Sequence, residues 1–189
     1  MVTFSAVEPR PLTPGTTPTA ESKFSGIVGV VRSGGEFRLI ALRTVAPGER
    51  MFQIEGEKTH RPSRYSVQIG ENLHIDLNLS HSTEEVLDRY FWRFMNHGCE
   101  PNTAIRGRDV VALRTIQRWD DVTFNYNSTE HDMAEPFACR CGSPRCHGTV
   151  RGFKYLTRQD QERLRPSLAA HLLRHLDPLS PGVAMPVTA

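Results

Sequence analysis

Short apolar stretches separated by glycine, proline and polar residues fill most of the chain, a pattern typical of β-strands. Apolar and polar positions alternate on both sides of Gly70 and Asn72, which predicts a hairpin there. Strands are predicted in FSGIVGVV (24–31), EFRLIALRTV (36–45), RMFQI (50–54), YSVQIG (65–70), NLHIDL (72–77), DVVALRTI (109–116) and DVTFNYN (121–127). The pattern therefore predicts a mainly β fold of many short strands joined by long crossings.

Helical patterns are confined to a few segments. Ser82 or Thr83 can cap EEVLDRYFWRFM (84–95), whose first acidic residues suit the positive end of a helix. Near the end of the sequence, Thr157 can cap RQDQERL (158–164), and Pro166 predicts the start of a second piece, SLAAHLLRHL (167–176). The leucines of this last piece form one apolar stripe, which predicts a packing face: Leu168, Leu172, Leu173 and Leu176.

Composition limits the class of protein. The chain has 189 residues, of which 38% are hydrophobic and 23% charged, as in a soluble globular domain with a real core. A formal net charge of +2 is too small to argue for a nucleic-acid or membrane partner. No apolar run approaches the roughly 20 residues that span a bilayer. The first residues lack a basic start followed by an apolar stretch, so we expect an intracellular, reducing environment.

The cysteines provide the strongest chemical signal. Three of the four lie in FACRCGSPRC, as Cys139, Cys141 and Cys146, and a reducing environment makes disulfides an unlikely use for them. Three thiolates on a tight loop predict a structural zinc site, which needs one more ligand. Cys99 is the remaining cysteine, and His147 is the alternative fourth ligand. Four unrelated buried thiols are the other interpretation.

Three ordered segments resemble the SET-domain protein lysine methyltransferases that carry a post-SET zinc module. These segments are RFMNHGCEPN (93–102), VVALRTIQRWDDVTFNY (110–126) and FACRCGSPRCHGTVRG (137–152). They match the family pattern R-F-x-N-H-S-C-x-P-N, a strand ending near T-F-D-Y, and C-x-C-x4-C. The resemblance covers about residues 24–155 and implies a SET-domain (β-clip) fold of several short sheets with a knot-like crossing, a post-SET zinc loop and C-terminal helices.

The resemblance also implies a binding site for S-adenosylmethionine. Asn96 and His97 would hold this cofactor, the first through its amide and the second through its backbone. Further residues are implied beside the cofactor: Arg93, Tyr65 and Phe137. Phe153 is an alternative to Phe137 as the aromatic cover of the adenine. One structural Zn²⁺, held by Cys99, Cys139, Cys141 and Cys146, would close a lid over the active site.

Tyr126 matches the tyrosine that the family places beside the transferred methyl group, and Phe124 lies two residues before it. If both residues belong to one strand, their side chains share a face. By the resemblance, a phenylalanine at position 124 leaves room for di- or trimethylation. Taken alone, either ring could equally be core packing. The interpretation requires the Tyr126 phenol to line an enclosed channel, and the Cys99 sulfur to lie near the other three.

The predicted units are a disordered lead (1–22), a SET domain (23–130), a post-SET zinc module (131–155), a helical segment (156–177) and a flexible tail (178–189). We expect a monomer whose substrate is a protein with an exposed lysine. The chain departs from the family pattern at Trp119, where glycine is usual, at Asn125, where aspartate is usual, and in a missing G-x-G before residue 39. Because of these departures, a small-molecule amine substrate and a catalytically silent zinc-stabilised binding module stay open as alternatives.

Overall fold

The structure is a computed structural model that describes residues 26–33, 35–78 and 80–176. The predicted disordered lead and flexible tail lie outside the described residues. Within these ranges the strands are β1 (Val28–Ser33), β2 (Glu36–Ala41), β3 (Arg50–Gln53), β4 (Glu57–Thr59), β5 (Val67–Gly70), β6 (Leu73–Asp76), β7 (Asn96–His97), β8 (Thr103–Arg106), β9 (Asp109–Ala112), β10 (Thr123–Phe124), β11 (Phe137–Ala138) and β12 (Thr149–Val150).

The helices are equally short. They are α1 (Thr83–Arg89), α2 (Arg158–Arg163) and α3 (Ala170–Leu176), with 3₁₀ turns at Phe91–Phe94, Tyr126–Ser128, Phe153–Tyr155 and Arg165–Ser167. Ser82 caps α1 by accepting the Glu85 backbone N–H at 3.1 Å, and Thr157 caps α2 in the same way. In the described part of the chain, no helix has the length and apolar character needed to cross a bilayer.

The strands form small sheets of two or three members. The predicted hairpin joins β5 to β6, and β4 completes this sheet in the order β4-β6-β5. A second sheet has the order β3-β9-β8, and β1 pairs with β2. The pairing of β7 with β10 is parallel, although 25 residues separate the two strands. These small sheets confirm the predicted mainly β architecture; the knot-like crossing stays a prediction.

One apolar core lies between the sheets and the 3₁₀ turn at Phe91–Phe94. Strand β2 contributes its last three residues, which are buried, while its first two are exposed. The largest fully buried side chains of this core include Phe52, Leu39, Met51 and Ile105. Phe124 belongs to the same core, and Tyr126 packs against it.

The C-terminal segment has a small core of its own. The predicted leucine stripe packs there with Phe153 and Leu164, which confirms that it is a packing face. This segment is tied to the main core because Ala169 N–H donates to the Ser128 carbonyl at 2.9 Å and Arg106 donates to the Leu168 carbonyl at 3.0 Å. The helices thus support the segment that follows Tyr126.

Several predicted elements are shorter than the sequence indicates. The strands predicted over 36–45 and 109–116 end at Ala41 and Ala112, and the helix predicted over 167–176 begins at Ala170. Two further differences have a visible local cause. The helix over 84–95 ends at Arg89 and continues as a 3₁₀ turn, because Tyr90, Phe91 and Trp92 are all buried and one face of an α-helix cannot bury three consecutive side chains. The strand over 121–127 is limited to Thr123–Phe124, since the Asn125 side chain accepts the N–H of Asn127 and starts a 3₁₀ turn.

Candidate active site

Tyr126 lies at a small cavity of about 60 Å³, which we call the Tyr126 cavity. The walls that matter here are Tyr65, Arg93, Met95, Phe124, Tyr126 and Glu130. The Tyr126 hydroxyl donates to the Met95 carbonyl at 2.8 Å. Burial, with a smaller contribution from Glu130, raises the pKa of Tyr126 to about 12. The side chain is therefore a neutral phenol with a fixed orientation at ordinary pH.

Phe124 and Tyr126 do not share a strand face, contrary to the prediction, because Tyr126 begins a 3₁₀ turn. Their rings nevertheless lie 4.7 Å apart between centroids, and both line the Tyr126 cavity. The two side chains are therefore neighbours, as the strand pattern predicted, but the turn after Asn125 brings them together and not a shared strand face.

The pairing of β7 with β10 positions the N-H-G-C segment against Tyr126. Asn96 is opposite Thr123 and His97 is opposite Phe124, and the Gly98 N–H donates to the Phe124 carbonyl at 3.0 Å. A Cβ at Gly98 would lie 3.1 Å from the Thr123 hydroxyl, so a small residue suits this close approach.

His97 links Tyr126 to the cysteines. Its Nδ1 accepts the Tyr126 backbone N–H at 3.2 Å, so the ring proton lies on Nε2, which is 3.2 Å from the Cys99 sulfur. Burial, reinforced by His147, lowers the pKa of His97 to about 4. The imidazole is neutral and both of its nitrogens are engaged, which leaves the backbone of His97 as the part that a ligand can contact.

The predicted cofactor residues fall into two groups around β7. Asn96 is exposed and donates through Nδ2 to the Phe37 carbonyl at 3.2 Å. Phe137 is also partly exposed, and its ring centroid lies 6.0 Å from that of His97 and 5.9 Å from that of Tyr126. The exposed faces of Phe37 and Phe137 therefore present apolar surface next to the strand.

Arg93 and Tyr65 form the second group, on the wall of the Tyr126 cavity. The guanidinium lies 4.3 Å from the centroid of the Tyr65 ring and 3.3 Å from the Asp76 carboxylate. Burial lowers the pKa of Arg93, and Asp76 opposes this effect. Phe153, the alternative adenine cover, is 1% exposed inside the C-terminal core, so the packing interpretation is the correct one for it.

The structure brings together the four cysteine sulfurs, all within 4.8 Å of one another. The Cys99 and Cys139 sulfurs are 3.9 Å apart, close to the separation of about 3.8 Å that tetrahedral coordination with 2.3 Å Zn–S bonds requires. The thiols are free. The cluster can hold a metal ion, and its donor set fits zinc.

Protonation within the cluster is uneven. Burial raises the pKa of the Cys99 thiol, and it raises the pKa of Cys139 to about 11. Burial would also raise the pKa of Cys141, but hydrogen bonds involving the backbone of Cys99 and Ser143 outweigh this effect and lower the pKa of Cys141 to about 7. A bound cation would favour the thiolate at all of these positions.

Sequence reasoning missed Glu130 and His74 at this site. Glu130 lines the Tyr126 cavity and is buried, and its carboxylate lies 3.6 Å from Nε2 of His74 on β6. A glutamate four residues after a tyrosine gives no signal by itself, because charged residues in loops are usually solvated. Only the packing of β5 and β6 against residues 126–131 encloses it.

Comparison with known proteins identifies the core. Residues 36–127 match the family model of the SET domain, so this chain contains a SET domain. That segment includes β7, β10 and Tyr126. The chain is similar to KRYPTONITE in its crystal structure in complex with mCHG DNA and SAH, with a TM-score of 0.50 and 24% identity over 69% of this chain and 30% of that one. This likeness shows that the two chains share a similar fold over the matched segment.

Similar curated proteins are histone-lysine N-methyltransferases. The chain is 28% identical over 131 residues to the H3 lysine-36 specific protein of Gibberella zeae. The matched segment covers 61% of this chain and 14% of that protein. The chain is 28% identical over 116 residues to ash1 of Drosophila melanogaster, which covers 55% of this chain and 5% of that protein. The chain thus spans a small part of the length of these relatives.

Proposed function

We propose that this protein transfers a methyl group from S-adenosylmethionine to a lysine side chain of a protein. The observation that carries the proposal is the position of the Tyr126 phenol. It is held by the Met95 carbonyl inside a cavity, and β7 with its exposed aromatic neighbours lies directly beside it. A site for the substrate amine, which accepts the methyl group, and a site for the cofactor would then lie on the two sides of the same residues.

Asn96, the backbone of His97 and the ring of Phe137 would hold S-adenosylmethionine. When bound, this cofactor would supply an electrophilic methyl group on a positively charged sulfur. The amide of Asn96 offers both donors and an acceptor, and the exposed ring of Phe137 offers an apolar face for a planar base.

The Tyr126 cavity would prepare the amine. A lysine with a pKa of about 10.4 must lose its proton before it can act as a nucleophile, which costs about 4.6 kcal/mol at pH 7. Apolar walls such as Phe124 and Met95 make the charged form less favourable and offset part of this cost. The Tyr126 oxygen, fixed by its hydrogen bond, would orient the nitrogen lone pair.

We further propose that the cysteine cluster binds zinc and that this metal would crosslink Cys99, next to β7, to the loop of Cys139, Cys141 and Cys146. Phe137 lies two residues before the first of these loop cysteines. Holding the loop would therefore hold the aromatic face that covers the cofactor, and chelation should abolish activity before it unfolds the core.

Incubation with methyl-labelled S-adenosylmethionine tests the proposal. Purified protein would be offered a native lysate and, because the relatives are histone-lysine methyltransferases, recombinant histone H3. Label on lysine supports the proposal, and mass spectrometry of the product tests the expectation that Phe124 permits di- or trimethylation. Label confined to small molecules indicates the small-molecule alternative. Failure to bind S-adenosylmethionine with zinc present would point to the silent binding module.

A further inference from the structure

Glu130 is a buried carboxylate one turn beyond Tyr126. Its backbone N–H donates to the Tyr126 carbonyl at 2.9 Å, so the two residues are held on one turn of the chain. The Glu130 side chain is 8% exposed, and the residue lines the Tyr126 cavity. A buried carboxylate is costly unless donors or a cation satisfy it, so its partners are informative.

The two carboxylate oxygens of Glu130 are unequally satisfied. Oε1 accepts the Gln68 backbone N–H at 2.7 Å and the Thr129 hydroxyl at 3.3 Å. Among the described residues, Oε2 accepts no hydrogen bond and faces Nε2 of His74 at 3.6 Å, which is longer than an ordinary hydrogen bond. An ionised carboxylate can accept about four hydrogen bonds. Oε2 therefore keeps acceptor capacity.

The two arginines on the cavity wall each have a carboxylate partner outside it. Arg93 pairs with Asp76 at 3.3 Å, and Arg64 lies 3.8 Å from Glu135. Neither of those carboxylates is among the residues that line the cavity, which leaves Glu130 as the carboxylate on its wall within the described part of the chain. Burial raises the pKa of Tyr126, Arg64 opposes this effect, and the charge of Glu130 adds a smaller upward contribution, as expected for a neighbouring anion.

We propose that the Glu130 carboxylate binds the cationic amine of the substrate in the Tyr126 cavity. The inference rests on the proposed function, since it names the group that recognises the lysine ammonium. The interaction is made with the charged amine, so it opposes the effect of the apolar walls on the amine pKa, and it stabilises the bound ground state and not the transition state. Glu130 should therefore lower KM for the amine substrate without raising kcat.

A purely structural role for Glu130 is the competing explanation. Its Oε1 ties β5 to the segment after Tyr126, and the Gln68 side chain returns the contact by accepting the His131 N–H at 2.9 Å. Glu130→Gln separates the two roles, because the amide oxygen can still accept from Gln68 while the negative charge is lost. Glu71→Gln is the matched control, since Glu71 is an exposed carboxylate at the β5–β6 turn, outside the cavity lining.

Binding of n-butylammonium, the lysine side chain without its backbone, tests the inference without any methyl transfer. Ligand-observed NMR without added cofactor would compare it with the neutral analogue 1-butanol. We expect the wild-type protein and Glu71→Gln to bind the ammonium about tenfold more tightly than Glu130→Gln does, with equal binding of the alcohol by all three. The inference is overturned if the wild-type protein binds the alcohol and the ammonium equally tightly. It is also overturned if Glu130→Gln keeps the preference for the ammonium over the alcohol.

Steady-state kinetics, measured with a protein substrate that this protein methylates, then separates this inference from the proposed function. We expect Glu130→Gln to raise KM about tenfold and leave kcat undiminished. An unchanged KM with active enzyme overturns the role of Glu130 and leaves the methyltransferase proposal standing. If the protein binds ammonium through Glu130 but methylates no substrate, the role of Glu130 stands and the methyltransferase proposal is overturned. If Glu130→Gln does not fold, the ammonium preference of the wild-type protein still decides whether an anionic group recognises the amine.

Discussion

Replacing Tyr126 by phenylalanine tests whether the phenol orients the amine or removes its proton. The variant loses the hydroxyl that donates to the Met95 carbonyl at 2.8 Å, which should cost about 1 kcal/mol of folding stability. The change is confined to the Tyr126 cavity and leaves β7 intact, so binding of S-adenosylmethionine should persist. We expect kcat to fall about a hundredfold, because the amine is no longer held in line with the methyl group.

The pH dependence distinguishes the two roles. With a pKa of about 12, only about 0.1% of Tyr126 is ionised at pH 9, so an orienting phenol is fully present from pH 7 to pH 9. The rates of both proteins should rise with pH as the lysine amine loses its proton, and their ratio should stay constant. If the phenolate were the base, the wild-type rate would gain about an additional tenfold per pH unit over the variant.

Initial rates with saturating cofactor, measured for both proteins across that pH range, provide the assay, and calorimetry measures cofactor binding. Tyr155→Phe is the control, because Tyr155 is exposed and lies outside the Tyr126 cavity. A rate ratio that grows with pH would refute the orienting role. Full activity of Tyr126→Phe would remove this residue from the mechanism altogether.

Three further changes test the metal cluster and the backbone. Cys99→Ser, or treatment with a chelator, should expose residues 137–150 to limited proteolysis before the main core unfolds, because a metal bound to Cys99 would join this loop to β7. Gly152→Ala should lower the free energy of unfolding by about 3 kcal/mol in denaturant, because Gly152 has a φ of +114° and the added Cβ would lie 2.7 Å from the His131 carbonyl. Gly148→Ala should lower it by about 1 kcal/mol, because Gly148 has a φ of +71° and the added Cβ meets open space. Trp119 has a φ of +77°, so Trp119→Gly should be more stable than Trp119→Ala by about 1 kcal/mol in thermal unfolding.

Each of these expectations has a contrary result. Equal proteolysis of the metal-depleted and untreated proteins would argue against a metal crosslink. Equal losses for the two glycine variants would mean that the segment before Gly152 yields easily, and a more stable Trp119→Ala would mean that the left-handed backbone at this position relaxes in the variants.

Local sequence signals identified much of the fold because they depend on neighbouring residues. Alternating apolar positions predicted β2, β3 and the β5–β6 hairpin, and Ser82 and Thr157 were recognised as caps from their own side-chain chemistry. The cysteine spacing predicted a common cluster, because thiols within one tight loop cannot lie far apart. The family resemblance favoured Cys99 over His147 as the fourth ligand and added Tyr126 and the N-H-G-C segment.

Tertiary structure decided what depends on distant segments. The α-helix breaks at Tyr90, whose φ of −102° and ψ of 56° are not helical, and this break lets three consecutive aromatic side chains reach the core, a demand that no helical propensity encodes. Glu130 lies in the Tyr126 cavity because Gln68, 62 residues away, and His74 pack over it. The sequence alone determined which residues can carry chemistry, through their local patterns and side-chain types. Folding decided which charges lose water, since the burial of a carboxylate is set by the strands that cover it and not by its neighbours in the chain.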